Sequence, residues 1–297
     1  MGRRVVWMLL TSGMLVSGAG AWVTLRARAE GARMSPAGSM ASRTSVSERR
    51  QLPSLAARQA LFAELQPVKL TNCEFARYGE GNDGGYLACR NLLTQVRGAY
   101  SYGISGYDGW GCEVSTQLKV PVHQYDCFDT RQPSCPGGEP IFHPECVGPA
   151  PNTDGEGRVF DSIQNQIEKN GDADKHIIMK MDVEGAEWDS MLKTPGAVLE
   201  KIDQLIMELH GVDKNIERSR EVVLKLKEFF HVAHLHINNY SCQWGLQPFG
   251  GWAYEVTLVS KRLATADPTA KVQLPHPLDT PNNPRIPDCQ APPALLR

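Results

Sequence analysis

The residues of this chain that could do chemistry cluster at the ends of apolar runs. Between Ile177 and Trp188 the sequence reads IIMKMDVEGAEW, an apolar stretch that stops at Asp182 and is followed by Glu184, Gly185 and Glu187. A short apolar run ending in acids fits a buried parallel strand, because open α/β sheets bind ligands in the crevice beyond the carboxyl ends of their strands. Carboxylates at such a place can carry a proton, hold a metal ion or contact the polar groups of a cofactor, and are costly without such a task. Asp182 and Glu184 are therefore expected at a site. Glu187 is expected to serve the helix that follows, where an acid complements the positive end of the dipole.

Two further runs end in the same way. LIMELH carries Glu208 and His210, and HVAHLHIN carries His234 and His236. Parallel strands whose ends lie together would bring these groups into one crevice, where burial and like charge raise a carboxylate's pKa toward neutrality. His210, just past its strand, is the first candidate for a general base, since imidazole titrates in the right range. Glu208 and His236 join Asp182 and Glu184 as further catalytic candidates. Period-two alternation sends His234 and His236 to one face, which fits hydrogen-bonded core histidines as well. The set leaves a divalent metal open, but no HExxH-type pair marks a helix, so no metal ligands are predicted.

An earlier segment, SYGISGYDGWGCEVS, places Gly103, Gly106, Gly109 and Gly111 between a strand and a helix, where the backbone must turn sharply and approach a ligand. It matches neither GxGxxG nor the Walker pattern, so a dinucleotide or ATP phosphate site is not supported and a smaller cofactor suits it better. The next strand, VPVHQYD, ends at Asp126. An acid there can accept two hydrogen bonds from ribose hydroxyls, pointing to an adenosine-containing ligand, or it can cap the next turn. Asp129 is a secondary candidate.

The elements that must position these residues follow from the βα rhythm of the middle of the chain. AYSYGI, VPVHQYD, PIFHPECVG, HIIMKMD, DQLIMELH, VAHLHIN and YEVTLVS read as strands; GCEVSTQLK, FDSIQNQIEKN, AEWDSMLKTPGAVLEK and IERSREVVLKLKEFF read as helices. The alternation predicts a doubly wound, mostly parallel sheet with helices on both faces. YEVTLVS follows its predecessor without a crossover helix, so an antiparallel pairing is expected for it. Upstream, Asn82-Asp83-Gly84 is a turn signal within NDGGYLAC, predicting a hairpin, with Asp83 and Tyr86 as peripheral site candidates.

At 297 residues, with 41% hydrophobic and 22% charged, the chain can bury one substantial core, and its net charge of -2 lacks the basic surface of a nucleic-acid binder. Arg3 and Arg4 precede an uncharged stretch from Val5 to Leu25, which would span about 31 Å as a helix, enough for a bilayer core. Residues 1–26 are therefore expected to be an uncleaved signal anchor, or otherwise a cleaved signal peptide ending near Ala19-Gly20-Ala21. Residues 27–52 read as a flexible stem, 53–262 as the folded domain and 263–297 as a proline-rich tail tied down through Cys289. Eight cysteines without a CxxC pair predict disulfides in an oxidising compartment rather than a zinc ribbon.

The strings KMDVEGAEW, RYGEGNDGGYLAC (Arg77 to Cys89), SYGIS, LIMELHG and HLHINN together resemble the FkbM-like S-adenosylmethionine-dependent methyltransferases, in particular a membrane-anchored or secreted branch, from about Arg77 to Lys261. The resemblance implies a Rossmann-like class I methyltransferase fold. It implies that Gly103, Ser105 and Gly106 line the methionine part of S-adenosyl-L-methionine, that Glu113 sits near it, that Asp126 holds the ribose, and that Cys146 to Gly148 border the adenine. Asp182 and Glu184 would face the sulfonium and the acceptor. The family's usual acid at the end of the first strand is replaced here by Tyr102 and Gly103.

The expected activity is O-methylation of a hydroxyl on a small molecule, carbohydrate or glycan. The protein is expected to sit in the membrane through its N-terminal segment, with the domain in the endomembrane lumen or outside the cell, or to be secreted. Two alternatives stand beside this: a lumenal metal-dependent glycosyltransferase using Asp182-Val183-Glu184 as a DxD-like motif, and a catalytically inactive protein of the same fold.

Overall fold

The computed structural model describes residues 53–289; the expected signal anchor and stem, and the last eight residues of the tail, lie outside them. Helix α1 (Leu55–Glu64) begins at Ser54, whose hydroxyl accepts from the Ala57 amide. After β1 (Lys69–Leu70), strands β2 (Phe75–Gly79) and β3 (Gly85–Cys89) form the expected hairpin over Asn82-Asp83-Gly84. Strand β4 (Gly98–Tyr102), helix α2 (Gly109–Leu118), β5 (Pro121–Tyr125) and β6 (Glu139–His143) follow. Three short strands, β7 (Cys146–Val147), β8 (Asn152–Thr153) and β9 (Val159–Asp161), make a separate small sheet. The second half runs α3 (Ile163–Lys169), β10 (Ile177–Met181), α4 (Glu187–Lys193), α5 (Gly196–Leu199), β11 (Ile202–His210), α6 (Ile216–Phe229), β12 (Phe230–Ile237), β13 (Ala253–Ser260) and β14 (Ala266–Asp267).

The central sheet has seven strands in the order β12-β13-β11-β10-β4-β5-β6. Strands β6, β5, β4, β10 and β11 pair in parallel, while β13 is antiparallel to both β11 and β12. This is an α/β architecture with a mostly parallel sheet, compatible with a Rossmann-like fold. The antiparallel strand is the one expected, YEVTLVS, and it is inserted between its two neighbours rather than added at the edge. Strand order reverses between β4 and β10, so the crevice beyond their carboxyl ends is the topological switch point of the sheet.

The two faces of the sheet differ. On one, Tyr100, Met179, Met181, Leu205 and Met207 pack against Phe62, Ile167, Met191 and Val222 from the helices. On the other, Ala99, Val122, Ile178 and Ile206 lie beneath Trp110 and Val114 of α2 and Tyr78 and Tyr86 of the hairpin. Alternation along the strands places Lys180 and Glu208 on this second face, with Ile178 and Ile206. Both are buried. Gln204 ties the hairpin down by bonding the amide and the carbonyl of Cys89, each at 2.8 Å.

Some elements differ from expectation. AEWDSMLKTPGAVLEK is two helices, because Thr194 precedes Pro195 and is held extended at ψ 124°. PIFHPECVG divides into β6 and β7, which belong to different sheets. His210 is the last residue of β11 rather than a residue beyond it. All eight cysteines pair, as Cys73–Cys89, Cys112–Cys135, Cys127–Cys146 and Cys242–Cys289, which suits an oxidising lumenal or extracellular environment. Among the described residues no helix is long and apolar enough to cross a membrane.

Candidate functional site

The switch point is built by a close approach of two strand ends. Gly103 follows β4 with φ +74°, and a Cβ there would lie 1.6 Å from the Asp182 carbonyl oxygen that follows β10. Only glycine permits both that contact and that backbone. Gly106 is also left-handed, at φ +73°, whereas Gly109 and Gly111 lie in the first turn of α2 and do not turn the chain. Ser105 and Glu184 are two of the three described non-glycine residues with positive φ, at 47° and 54°, and both flank this crevice. Strained backbone of this kind concentrates at sites.

Asp182, Glu208 and His210 converge. Each offers a ligand atom within 4.8 Å of the others. His210 Nε2 stands 3.7 Å from Asp182 Oδ1, 3.6 Å from Glu208 Oε1 and 3.6 Å from Glu184 Oε2. Sheet register explains the convergence: Met181 of β10 is paired with Met207 of β11, so Asp182 and Glu208 come next at one level, and His210 shares the Glu208 face two residues on. Glu208 is paired in turn with Glu255 of β13, and Glu255 with His236 of β12, so the polar level runs on across the sheet.

Supporting groups fix these side chains. Glu208 Oε1 accepts from Asn238 Nδ2 at 2.6 Å. Tyr86 points its hydroxyl at Asp182 Oδ2, 3.4 Å away, and Lys180 Nζ reaches the same oxygen at 3.5 Å while donating to the Gly103 carbonyl at 3.0 Å. Glu187 opens the first turn of α4, as expected, but its carboxylate also reaches beyond the helix. It is fully buried, with Oε1 accepting from the His210 amide at 2.6 Å and Oε2 from the Gly185 amide at 2.7 Å.

The electrostatics follow from this crowding. Burial opposes the charged form of His210, but Glu187, Glu208 and Asp182 outweigh it and lift the imidazole to about 10. Burial pushes Glu208 well above the usual carboxylate range, reinforced by the charge of Asp182 and opposed by His210. The three carboxylates therefore raise the proton affinity of His210 above that of a free imidazole.

The remaining expected site residues are engaged elsewhere or differently. Asp126 accepts from four amides, Ile104 and Ser105 through Oδ2 at 3.1 and 2.7 Å and Phe128 and Asp129 through Oδ1 at 2.8 and 3.0 Å. A carboxylate offers about four acceptor directions, so Asp126 is the clasp that joins the loops after β4 and β5. Asp129 pairs with Arg131. Glu113 accepts from the Gly79 amide at 2.7 Å and so faces the hairpin. The Gly148 amide donates to the Asp161 carbonyl at 2.8 Å. Cys146 is bound to Cys127.

His236 lies between Glu255 Oε2 and Asp288 Oδ2, at 3.0 and 2.9 Å, and His234 pairs with Asp279 at 2.8 Å. Neither belongs to the converging triad; both bind the returning tail. Asp83 bonds Asn282 of that tail at 3.1 Å, and Asn282 bonds Glu255 at 2.6 Å. Lys180, Asn238 and Glu255 were missed in the sequence. The signal for Lys180 and Glu255 was a charge inside an apolar strand pattern; for Asn238 there was none. Comparison with known proteins finds no matching family model, no matching curated protein and no matching solved structure.

Proposed function

We propose that this protein is an S-adenosyl-L-methionine-dependent methyltransferase acting on a hydroxyl of a carbohydrate or glycan, as its resemblance to the FkbM-like family implies. One observation carries the reading: Asp182, Glu208 and His210 converge at the switch point of a mostly parallel sheet, beside the strained Gly103–Gly106 loop. The residues present fit such a cofactor through that loop, whose positive-φ glycines bring bare backbone to the crevice, and through Asp182 next to it. The fit is weaker at the ribose, because all four acceptor directions of Asp126 are taken by amides.

When bound, the cofactor supplies an electrophilic methyl group. The protein's share is alignment and proton removal. Asp182, Glu208 and His210 are the groups placed to hold the acceptor oxygen and receive its proton. Glu184, whose side chain is 83% exposed, forms the rim through which the acceptor enters. The N-terminal apolar stretch would anchor the domain on the oxidising side of a membrane, where glycans are found.

Calorimetry with S-adenosyl-L-methionine, set against a nucleotide sugar plus Mn²⁺, tests this reading directly. Binding of the first, weakened by Asp182→Ala in a folded protein, supports it, and transfer of labelled methyl to an acceptor in a host extract would name the product class. Binding of the nucleotide sugar instead, or of neither, would replace it with a glycosyltransferase or an inactive protein of this fold.

A further inference from the structure

We infer that Asp182, Glu208 and His210 form a binding site for one divalent transition-metal cation. Three donor atoms, two carboxylate oxygens and one imidazole nitrogen, already lie within 4.8 Å of one another. Ligands bonded to a single ion at about 2.1 Å stand roughly 3.0 to 3.4 Å apart, depending on the bond angle. The observed 3.6 and 3.7 Å separations from His210 Nε2 need only a small contraction.

His210 itself supplies the independent sign of a ligand. Its side chain is 91% buried, since only 9% remains exposed, and Nδ1 has no hydrogen-bond partner among the described residues. Nε2 points into the carboxylates at distances too long for hydrogen bonds. An ion taking the Nε2 lone pair, in exchange for any proton there, would give this buried ring edge the close partner that none of the three carboxylates supplies.

The surroundings are arranged as an outer shell. The second nitrogen of a metal-bound histidine ordinarily faces a carboxylate, which fixes the ring and strengthens the ligand. Here Nδ1 faces Glu187 Oε1 at 3.5 Å, and Glu187 is anchored by two amides. Glu208 is held by Asn238. Lys180 and Tyr86 approach Oδ2 of Asp182, leaving Oδ1 to the pocket. A mixed oxygen and imidazole set selects Mn²⁺ or Zn²⁺ over Ca²⁺, which takes oxygen ligands. With three protein ligands, positions stay open for water or an acceptor hydroxyl, whose proton such an ion makes easier to remove. An ion there would share with these side chains the work of activating the acceptor hydroxyl. The inference does not depend on methyl transfer being the reaction.

The test uses the full chain with its disulfides intact, stripped with EDTA and titrated with Mn²⁺ by electron paramagnetic resonance and with Zn²⁺ by calorimetry. One equivalent should bind saturably. Asp182→Asn and Glu208→Gln, which preserve shape, should each weaken binding by roughly tenfold or more, His210→Ala should abolish it, and Asp174→Asn, at a distant exposed acid, should leave it unchanged. No saturation by about 1 mM, a millimolar affinity being the weak end of specific binding, would overturn the inference. So would equal affinity in the parent and both isosteric variants, which decide the matter if His210→Ala fails to fold. S-adenosyl-L-methionine binding measured separately in EDTA distinguishes this outcome from failure of the methyltransferase reading.

Discussion

Glu187→Gln separates two accounts of one carboxylate by magnitude. As a first-turn helix acid, Glu187 would contribute about 0.3 to 1 kcal/mol, screened by salt. In the structure it is fully buried and each oxygen accepts one amide hydrogen, from His210 and from Gly185. Glutamine keeps one acceptor and turns an NH₂ group toward the other amide. The variant loses one charge-assisted hydrogen bond, about 1.5 to 3 kcal/mol, and leaves a buried donor unmade at about 1 to 3 kcal/mol more. The expected loss is about 3 to 5 kcal/mol, unchanged by added salt. Equilibrium urea unfolding of parent and variant, followed by tryptophan fluorescence at low and high ionic strength, measures it. A loss below about 1 kcal/mol that fades with salt would refute the buried-anchor account and with it the claim that Glu187 orients His210.

Three other outcomes are expected. Gly103→Ala, which would place a Cβ 1.6 Å from the Asp182 carbonyl, should destabilise far more than Gly137→Ala. Gly137, at φ +85° with nothing within 4 Å, should show only the left-handed strain of about 1 kcal/mol; thermal melts compare the pair. Replacing Cys242 and Cys289 together by serine opens a loop of 47 residues and should cost about 4 kcal/mol by loop-closure entropy, read as a lower urea midpoint. His236 is lifted to about 10 by Asp288 and Glu255 against its burial. Its folded value therefore exceeds the unfolded value of about 6.5, so its contribution is complete below pH 6.5 and lost as pH rises toward 10. The difference in urea midpoint between parent and His236→Gln should shrink across that window, and a difference that grows instead would reverse the assignment.

Much of the fold was legible because strand and helix periods are local. The apolar runs ending at Asp182 and His210 became β10 and β11, and the missing crossover before YEVTLVS gave its antiparallel pairing. Asn82-Asp83-Gly84 gave the hairpin through turn chemistry alone. The helix after Asp182 was read too long because period does not register the restriction that Pro195 imposes on Thr194. At the site, the residue types at three strand ends were visible, but their environments were not.

By itself, then, the sequence determined the alternation of elements, the pairing of every cysteine as a class, and the acids and imidazoles available at the strand ends, since each depends on neighbours in the chain. Only the tertiary structure decided what those groups do. Strand order and register set Asp182 and Glu208 at one level with His210 on the same face two residues on, while His236 was drawn to the tail, and Glu187, Glu208 and Asp182 raised the proton affinity of His210 against its burial. Four amides from two loops made Asp126 a clasp. Charge state and hydrogen-bond capacity depend on what surrounds a group in space, and that information is distributed over residues far apart in the chain.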